Sequence, residues 1–458
     1  MKIFYFLIFI GFISACNTPK NEKIYNQDLA LIKDVNVLDV RTGEILKNKF
    51  ILIGGGEIID ILDEQPESKE IETVIEASGN FLMPGLAEMH AHIPSPDWGR
   101  ENYEETLFLY LSNGVTTIRG MLGHPLHLEL REKALKNEIL SPRIITSSPS
   151  FNGNTVPTPE DAVEKVVAYK EAGYDFLKLH PGIKREVFDT LVKTAKLVDI
   201  PFAGHVSIDV GIRHALESGY ATVDHVDGFI EGLVPEGKGL DPASNGFFGY
   251  NFTNEADTNL ISELVEMTNT YGVWVVPTQS LFMRWFSPTD PEQLALEEEM
   301  KYMPKRTLES WVNSKKNLIS DPEFSAEKWE AFNAIRKSLI YQLNKKGHGL
   351  LLGSDAPQVF NVPGFSIQHE LKGMLDAGLT PLEAIQIGTL NPATYLNMEG
   401  KLGEVAIGAS ADFIMLEANP LDDMDILKKP AGVMVRGQWL SRETLDKKLA
   451  EIARSAEQ

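Results

Sequence analysis

Between residues 85 and 355 the chain alternates eight short apolar runs with amphipathic stretches, and this alternation constrains the fold more than any other feature. Residues 85–93, 115–119, 143–147, 175–179, 201–205, 221–225, 273–277 and 349–355 read as strands, with helical patterns between most of them, for instance over 125–137, 159–172 and 209–218. Strands that alternate with helices build parallel sheets, and eight such units suit a TIM (β/α)8 barrel, whose chemistry sits at the C-terminal ends of its strands. Residues 28–84 and 400–442 have a different texture of short strands and Gly-rich or Asn-Pro turns, so both chain ends are expected to meet in one small β-sandwich domain. The expected organisation is α/β: a barrel over 85–399, a sandwich from both ends, and a C-terminal helix over 443–458.

The 458 residues are 43% hydrophobic and 24% charged, which is the balance of a globular chain and excludes a disordered or multispanning one. A net charge of -22 repels phosphate backbones, so nucleic acid is not an expected partner. The single cysteine, Cys16, excludes intrachain disulfides and cysteine-rich zinc sites. Lys2, an apolar run over 3–13, then Ser14 and Ala15 make the three parts of a signal peptide, and the run is too short to span a bilayer. Ile13-Ser14-Ala15-Cys16 resembles the lipobox of bacterial lipoproteins. That resemblance implies removal of residues 1–15, lipidation of Cys16, a polar tether over 16–27, and a globular part held outside the cytoplasm on a bacterial membrane, in the periplasm or at the cell surface.

Residues able to do chemistry coincide with the expected strand ends. His90 and His92 close the first strand, Lys178 the fourth, His205 the fifth, His225 the sixth and Asp355 the eighth. Side chains two apart on a strand point the same way, so His90 and His92 form a natural metal chelate. His180, two residues beyond Lys178, is an alternative ligand if the fourth strand continues, or a substrate contact if a loop begins at Pro181. Arg119, at the end of the second strand, and Arg284 are candidates for binding a substrate carboxylate. His124, His127, His214, His348 and His369 fall on or beside helical stretches or ahead of the eighth strand and read as structural.

Together, Met83-Pro84-Gly85-Leu86-Ala87-Glu88-Met89-His90-Ala91-His92, Phe176-Leu177-Lys178-Leu179, Gly204-His205, Asp224-His225 and Gly353-Ser354-Asp355-Ala356 resemble the amidohydrolase superfamily, near its imidazolonepropionase-like and prolidase-like branches. The tail agrees, with 378–384 and 403–412 similar to the superfamily's closing helix and its return to the small β domain. The resemblance implies two divalent ions, expected to be zinc: one held by His90, His92 and Asp355, the other by His205 and His225, bridged by a hydroxide and by Lys178 carrying carbon dioxide as a carbamate. An unmodified ammonium has no lone pair to offer a cation, which fits the need for that modification. Asp355 is implied as the proton-transferring catalytic group, with His180 and His225 as further contributors to stabilising the oxyanion.

The activity implied is hydrolysis of an amide, peptide or cyclic-amide C–N bond in a small substrate such as a dipeptide. Alternatives on the same fold are a mononuclear deaminase, or a lactonase or phosphotriesterase-like hydrolase; a binding lipoprotein without activity fits least. The implied partners are a small-molecule substrate and the membrane through the N-terminal lipid, with homo-oligomers compatible. Two departures stand out: Glu88 where the superfamily usually has Asp, and Asp227-Gly228-Phe229 after His225 where a glycine-rich run is common. The longest inserts run over 227–250 and 278–348, and loops this long in a barrel are often lids; the second carries Trp285, Phe286, Trp311 and Trp329, which either belong to such a lid or simply pack a helical insert.

Overall fold

The computed structural model describes residues 29–67, 71–96 and 103–457. The expected signal peptide, Cys16 and the tether lie outside them. Seven strands run parallel and in sequence order through one sheet: Leu86–Ala91, Val115–Gly120, Arg143–Phe151, Phe176–Leu179, Phe202–Gly204, Thr222–Asp224 and Trp274–Val276. They occupy the apolar runs read from the sequence, with the third continuing past its expected end to Phe151. Helices form between them for local reasons. Pro159–Glu171, for example, starts at Thr158, whose hydroxyl accepts the Asp161 amide while the Asp161 carboxylate accepts the Thr158 amide, a reciprocal cap. Arg185–Leu197 buries Val187, Phe188, Leu191 and Ala195 on one face, and these join Phe202, Leu216 and Tyr220 in the core between strands and helices.

The eighth apolar run differs from expectation in forming no regular strand. Residues 349–356 close the barrel with separate bridges, Leu350 to Val275 and Ala356 to Ala91, both parallel. The Met89 amide donates to Leu352 O (2.7 Å), the Asp355 amide to His90 O (2.9 Å) and the His92 amide to Ala356 O (2.8 Å). A continuous ladder fails because the Ser354 amide donates to Glu88 Oε1 (2.7 Å) instead, and because Asp355 sits at φ +65°. Gly353 allows the tight crossing, since a Cβ there would lie 2.8 Å from the His90 nitrogen.

Both chain ends form a separate eight-stranded sheet. Its order is Gln438–Ser441, Gly432–Val435, Phe413–Leu416, Phe81–Pro84, Leu29–Leu38, Ile45–Gly54 and Glu57–Leu62, with Ile71–Glu76 also pairing Leu29–Leu38. Phe81–Pro84 runs antiparallel to Phe413–Leu416, with Phe413 opposite Pro84, so the two ends of the chain are hydrogen-bonded immediately before the barrel begins. The C-terminal helix, Arg442–Ala456, buries Leu445, Leu449 and Ile452. The insert expected over 278–348 is helical, with Gln279–Trp285, Pro291–Leu294, Lys305–Ile319 and Ala326–Lys346. Its Phe282, Phe286 and Phe332 pack against Phe248 and Tyr250 of the other long insert. Among the described residues, no helix is long and apolar enough to cross a membrane.

Candidate metal centre

The six side chains singled out in the sequence meet at one end of the barrel, where they line a cavity of about 540 Å³. His90 lies within Leu86–Ala91, and His92 follows it. Lys178 lies within Phe176–Leu179, whereas His205 and His225 directly follow the short strands Phe202–Gly204 and Thr222–Asp224. Asp355 is central. Its Oδ1 lies 2.7 Å from His92 Nε2 and 3.5 Å from His90 Nε2, and its Oδ2 lies 3.8 Å from His225 Nδ1. The His225 ring centroid is 4.5 Å from that of His90 and 4.6 Å from that of His205. One ligand atom from each of His90, His225 and Asp355 can be chosen within 4.8 Å of the others.

The electrostatics of this cluster fit divalent cations. Burial first, then the Lys178 charge, pushes His90 well below the ordinary imidazole value; burial and the His90 ring do the same to His225. Both are therefore neutral, with a lone pair to offer. Burial also lowers the Lys178 amine, favouring the uncharged form that can add carbon dioxide. Among the described residues, Lys178 Nζ, His90 Nδ1 and Asp224 Oδ2 are buried without a hydrogen-bond partner, although Asp224 Oδ2 lies 3.2 Å from the imidazole nitrogen and 3.8 Å from the amine. Buried polar atoms are rarely left unpaired unless something else occupies the site. Imidazoles, carboxylates and a modifiable lysine make a donor set suited to zinc-like ions.

Several side chains take positioning roles that the sequence did not reveal. Asp227 Oδ2 accepts from His205 Nδ1 (3.0 Å), and Thr278 Oγ1 lies 2.9 Å from His225 Nδ1. Such partners fix ring orientation around a metal. The residue two after His225 that departs from the superfamily pattern is thus the one that orients a neighbouring imidazole. Arg336, from the helix Ala326–Lys346, is buried and donates to His225 O and Pro277 O (both 2.7 Å) and to Gln279 Oε1 (2.9 Å), pinning the backbone where His225 adopts φ +65°. Asp224 had a readable signal: it alternates with Thr222, whose hydroxyl donates to it at 2.8 Å. Glu88, the other departure, is fully buried and takes the Ser354 amide and hydroxyl, tying the first strand to the segment carrying Asp355.

Both arginines proposed to bind a substrate carboxylate are engaged elsewhere. Arg119 is fully buried beneath the site and donates to Met89 O, Tyr395 Oη, Thr222 Oγ1 and Asp224 Oδ1, with the Phe176 and Tyr395 rings each 5.2 Å away. The strand directs it into the barrel interior, where four acceptors engage it. Arg284 donates to Phe360 O and pairs with Glu297. His180 lies just past its strand, which ends at Leu179. Its ring stacks 5.2 Å from that of His205, and its Nδ1 lies 2.8 Å from Ser150 Oγ. His180 and Lys178 both line the cavity, but Lys178 is the fully buried one.

Residues 81–440 match the family model described as the amidohydrolase family. An adenine deaminase of Clostridium botulinum (strain 657 / Type Ba4) is 23% identical over 434 residues, 91% of this chain and 57% of its own, so the chain spans little more than half the length of that relative. Bottromycin amidohydrolase superposes with a TM-score of 0.73 at 22% identity, covering 94% of this chain and 91% of that one. A Xaa-Pro dipeptidase with bound methionine in its active site gives a TM-score of 0.64 at 19% identity, over 90% of this chain and 100% of that one. At such identities the structural likeness is one of fold. The family match extends from the strand that joins the two chain ends, through the whole barrel and back into the end sheet, and on that match the chain belongs to the amidohydrolase family.

Proposed function

We propose that this chain is a metal-dependent hydrolase of C–N bonds in small amides, with His90, His92, Lys178, His205, His225 and Asp355 holding two divalent ions and Lys178 carried as a carbamate. The observation that supports it most is Lys178 Nζ, fully buried with no hydrogen-bond partner among carboxylates and imidazoles. When bound, such ions supply an activated water and polarise the substrate carbonyl. The residues of the chain do the rest. Asp227, by accepting the Nδ1 proton of His205, leaves Nε2 free as a ligand. Asp355 accepts the proton of the attacking water and returns it to the departing nitrogen, so that the C–N bond breaks as the amine is protonated. The same reading includes lipidation at Cys16, supported by the Ile13-Ser14-Ala15-Cys16 pattern, and a location outside the cytoplasm.

A second reading, a deaminase with one ion, is favoured by the adenine deaminase relatives and by the close grouping of His90, His225 and Asp355. Metal content decides between them, together with a panel of dipeptides, cyclic amides, lactones and adenine. Two ions per chain, carbon-13 incorporation from labelled bicarbonate at Lys178 and turnover of an amide support the first reading. One ion, an unmodified lysine and ammonia release from adenine would replace it with the second.

A further inference from the structure

The substrate cavity has a polarity of its own. Besides the six candidate ligands, its lining includes Asp227, Glu231, Asn245, Phe247 and Trp285. Among the described residues lining it there is no arginine, and no lysine other than Lys178. Among the described lining residues, a substrate carboxylate would find no cationic side chain other than Lys178 to receive it.

Glu231 is the group left over. Asp227 is engaged with His205 and the Val206 amide, and Asp355 with His92. Among the described residues, Glu231 Oε1 accepts from Asn245 Nδ2 (2.6 Å), and Oε2 is buried with no partner. Among the described residues no Lys, Arg or His pairs with this carboxylate. The backbone closes over it at Gly249, where φ is +76° and a Cβ would lie 2.7 Å from Oε2. The same loop carries Phe248 against the His205 and His225 rings, with centroids 5.9 and 5.4 Å away, and Phe247 against Trp285 at 5.5 Å. Aromatic faces beside a carboxylate favour an organic cation.

Resting on the amide-hydrolase reading above, we propose that Glu231 is a specificity-determining residue that receives a substrate ammonium or guanidinium, so that the preferred substrates are amides bearing a cationic amine beside an apolar or aromatic group, and not carboxylate-bearing ones. Burial and the neighbouring Asp227 raise the Glu231 carboxyl to about 7, as expected for an acid that meets no counter-ion among the described residues.

The test compares phenylalanine 4-nitroanilide with its N-acetyl and N-succinyl forms on the zinc-loaded full chain, giving cationic, neutral and anionic versions of one substrate. The ammonium form is expected to exceed the acetyl form about tenfold or more in kcat/KM, with the succinyl form slowest, and Glu231→Gln is expected to collapse that ratio mainly through KM. A ratio unchanged by the substitution, or a parent that prefers the succinyl form, overturns the proposal. Absence of any anilide hydrolysis would count against the amide-hydrolase reading, and calorimetry then decides this one separately. Phenethylamine binding the parent about tenfold more tightly than 2-phenylethanol and 3-phenylpropanoate supports the cation subsite even if the variant does not fold. Equal binding of the three, or no binding of the amine, overturns it.

Discussion

One carboxylate oxygen of Asp227 holds both the ring of His205 and the chain beyond it: Oδ2 lies 3.0 Å from His205 Nδ1 and accepts the Val206 amide at 3.2 Å. Because a carboxylate only accepts, His205 Nδ1 is the donor, and in the neutral imidazole this leaves the Nε2 lone pair for a metal. Asp227→Asn presents a mixed donor and acceptor in its place. Zinc affinity, measured by chelator competition, is expected to fall about 10- to 100-fold with the fold intact. Parent-like affinity would show that His205 is held without Asp227.

Asp355 touches three imidazoles at once, and its amide is fixed by His90 O. Asp355→Ala is expected to retain a cooperative thermal transition and lose turnover of whichever amide the parent hydrolyses by about 10³-fold. A variant that hydrolyses as fast as the parent would remove Asp355 from the chemistry.

Arg336 donates to Gln279, His225 and Pro277, and its guanidinium lies 3.4 Å from the centre of the Phe282 ring. Arg336→Met fills similar space but leaves two backbone carbonyls and an amide oxygen unpaired. Urea unfolding should show a loss of about 2–4 kcal/mol. A loss within experimental error would mean that other donors replace the guanidinium.

Glu370, on the helix Ser366–Asp376, is buried, and burial raises its carboxyl to about 7 although the Ser280 amide donates to Oε2. A carboxyl raised in the folded state remains protonated there while the unfolded chain ionises. Stability therefore falls as pH rises from about 4.5 to about 7, by at most about 1.4 kcal/mol per unit, and the penalty is absent below that window and constant above it. Glu370→Gln keeps the acceptor and cannot ionise, so its stability advantage over the parent should widen across this window and level off. An advantage independent of pH in denaturant titrations would refute the shift.

Residues 85–93 and 175–179 declared themselves because a barrel strand is a local pattern: a few apolar residues, a helix to follow, and side chains alternating in direction. That same alternation aims His90 and His92 at one space, and the strand-end rule of a barrel brings Lys178 to it. Asp224 was legible by the same rule, being two residues after Thr222 on one strand. The eighth run misled, because its apolar composition says nothing of Glu88, distant in sequence, taking the Ser354 amide that a ladder would need.

The sequence by itself determined the barrel, the joining of the chain ends, and which histidines and lysine stand at strand ends, since each follows from spacing along the chain. Only the tertiary structure decided that Arg119 is a buried strut with its donors engaged inside the barrel, that Asp227 and Arg336 hold the site in place, and that Glu231 meets no counter-ion among the described residues. These are matters of which donor meets which acceptor across tens or hundreds of residues. Partners of that kind are chosen by packing and desolvation, and no local pattern encodes them.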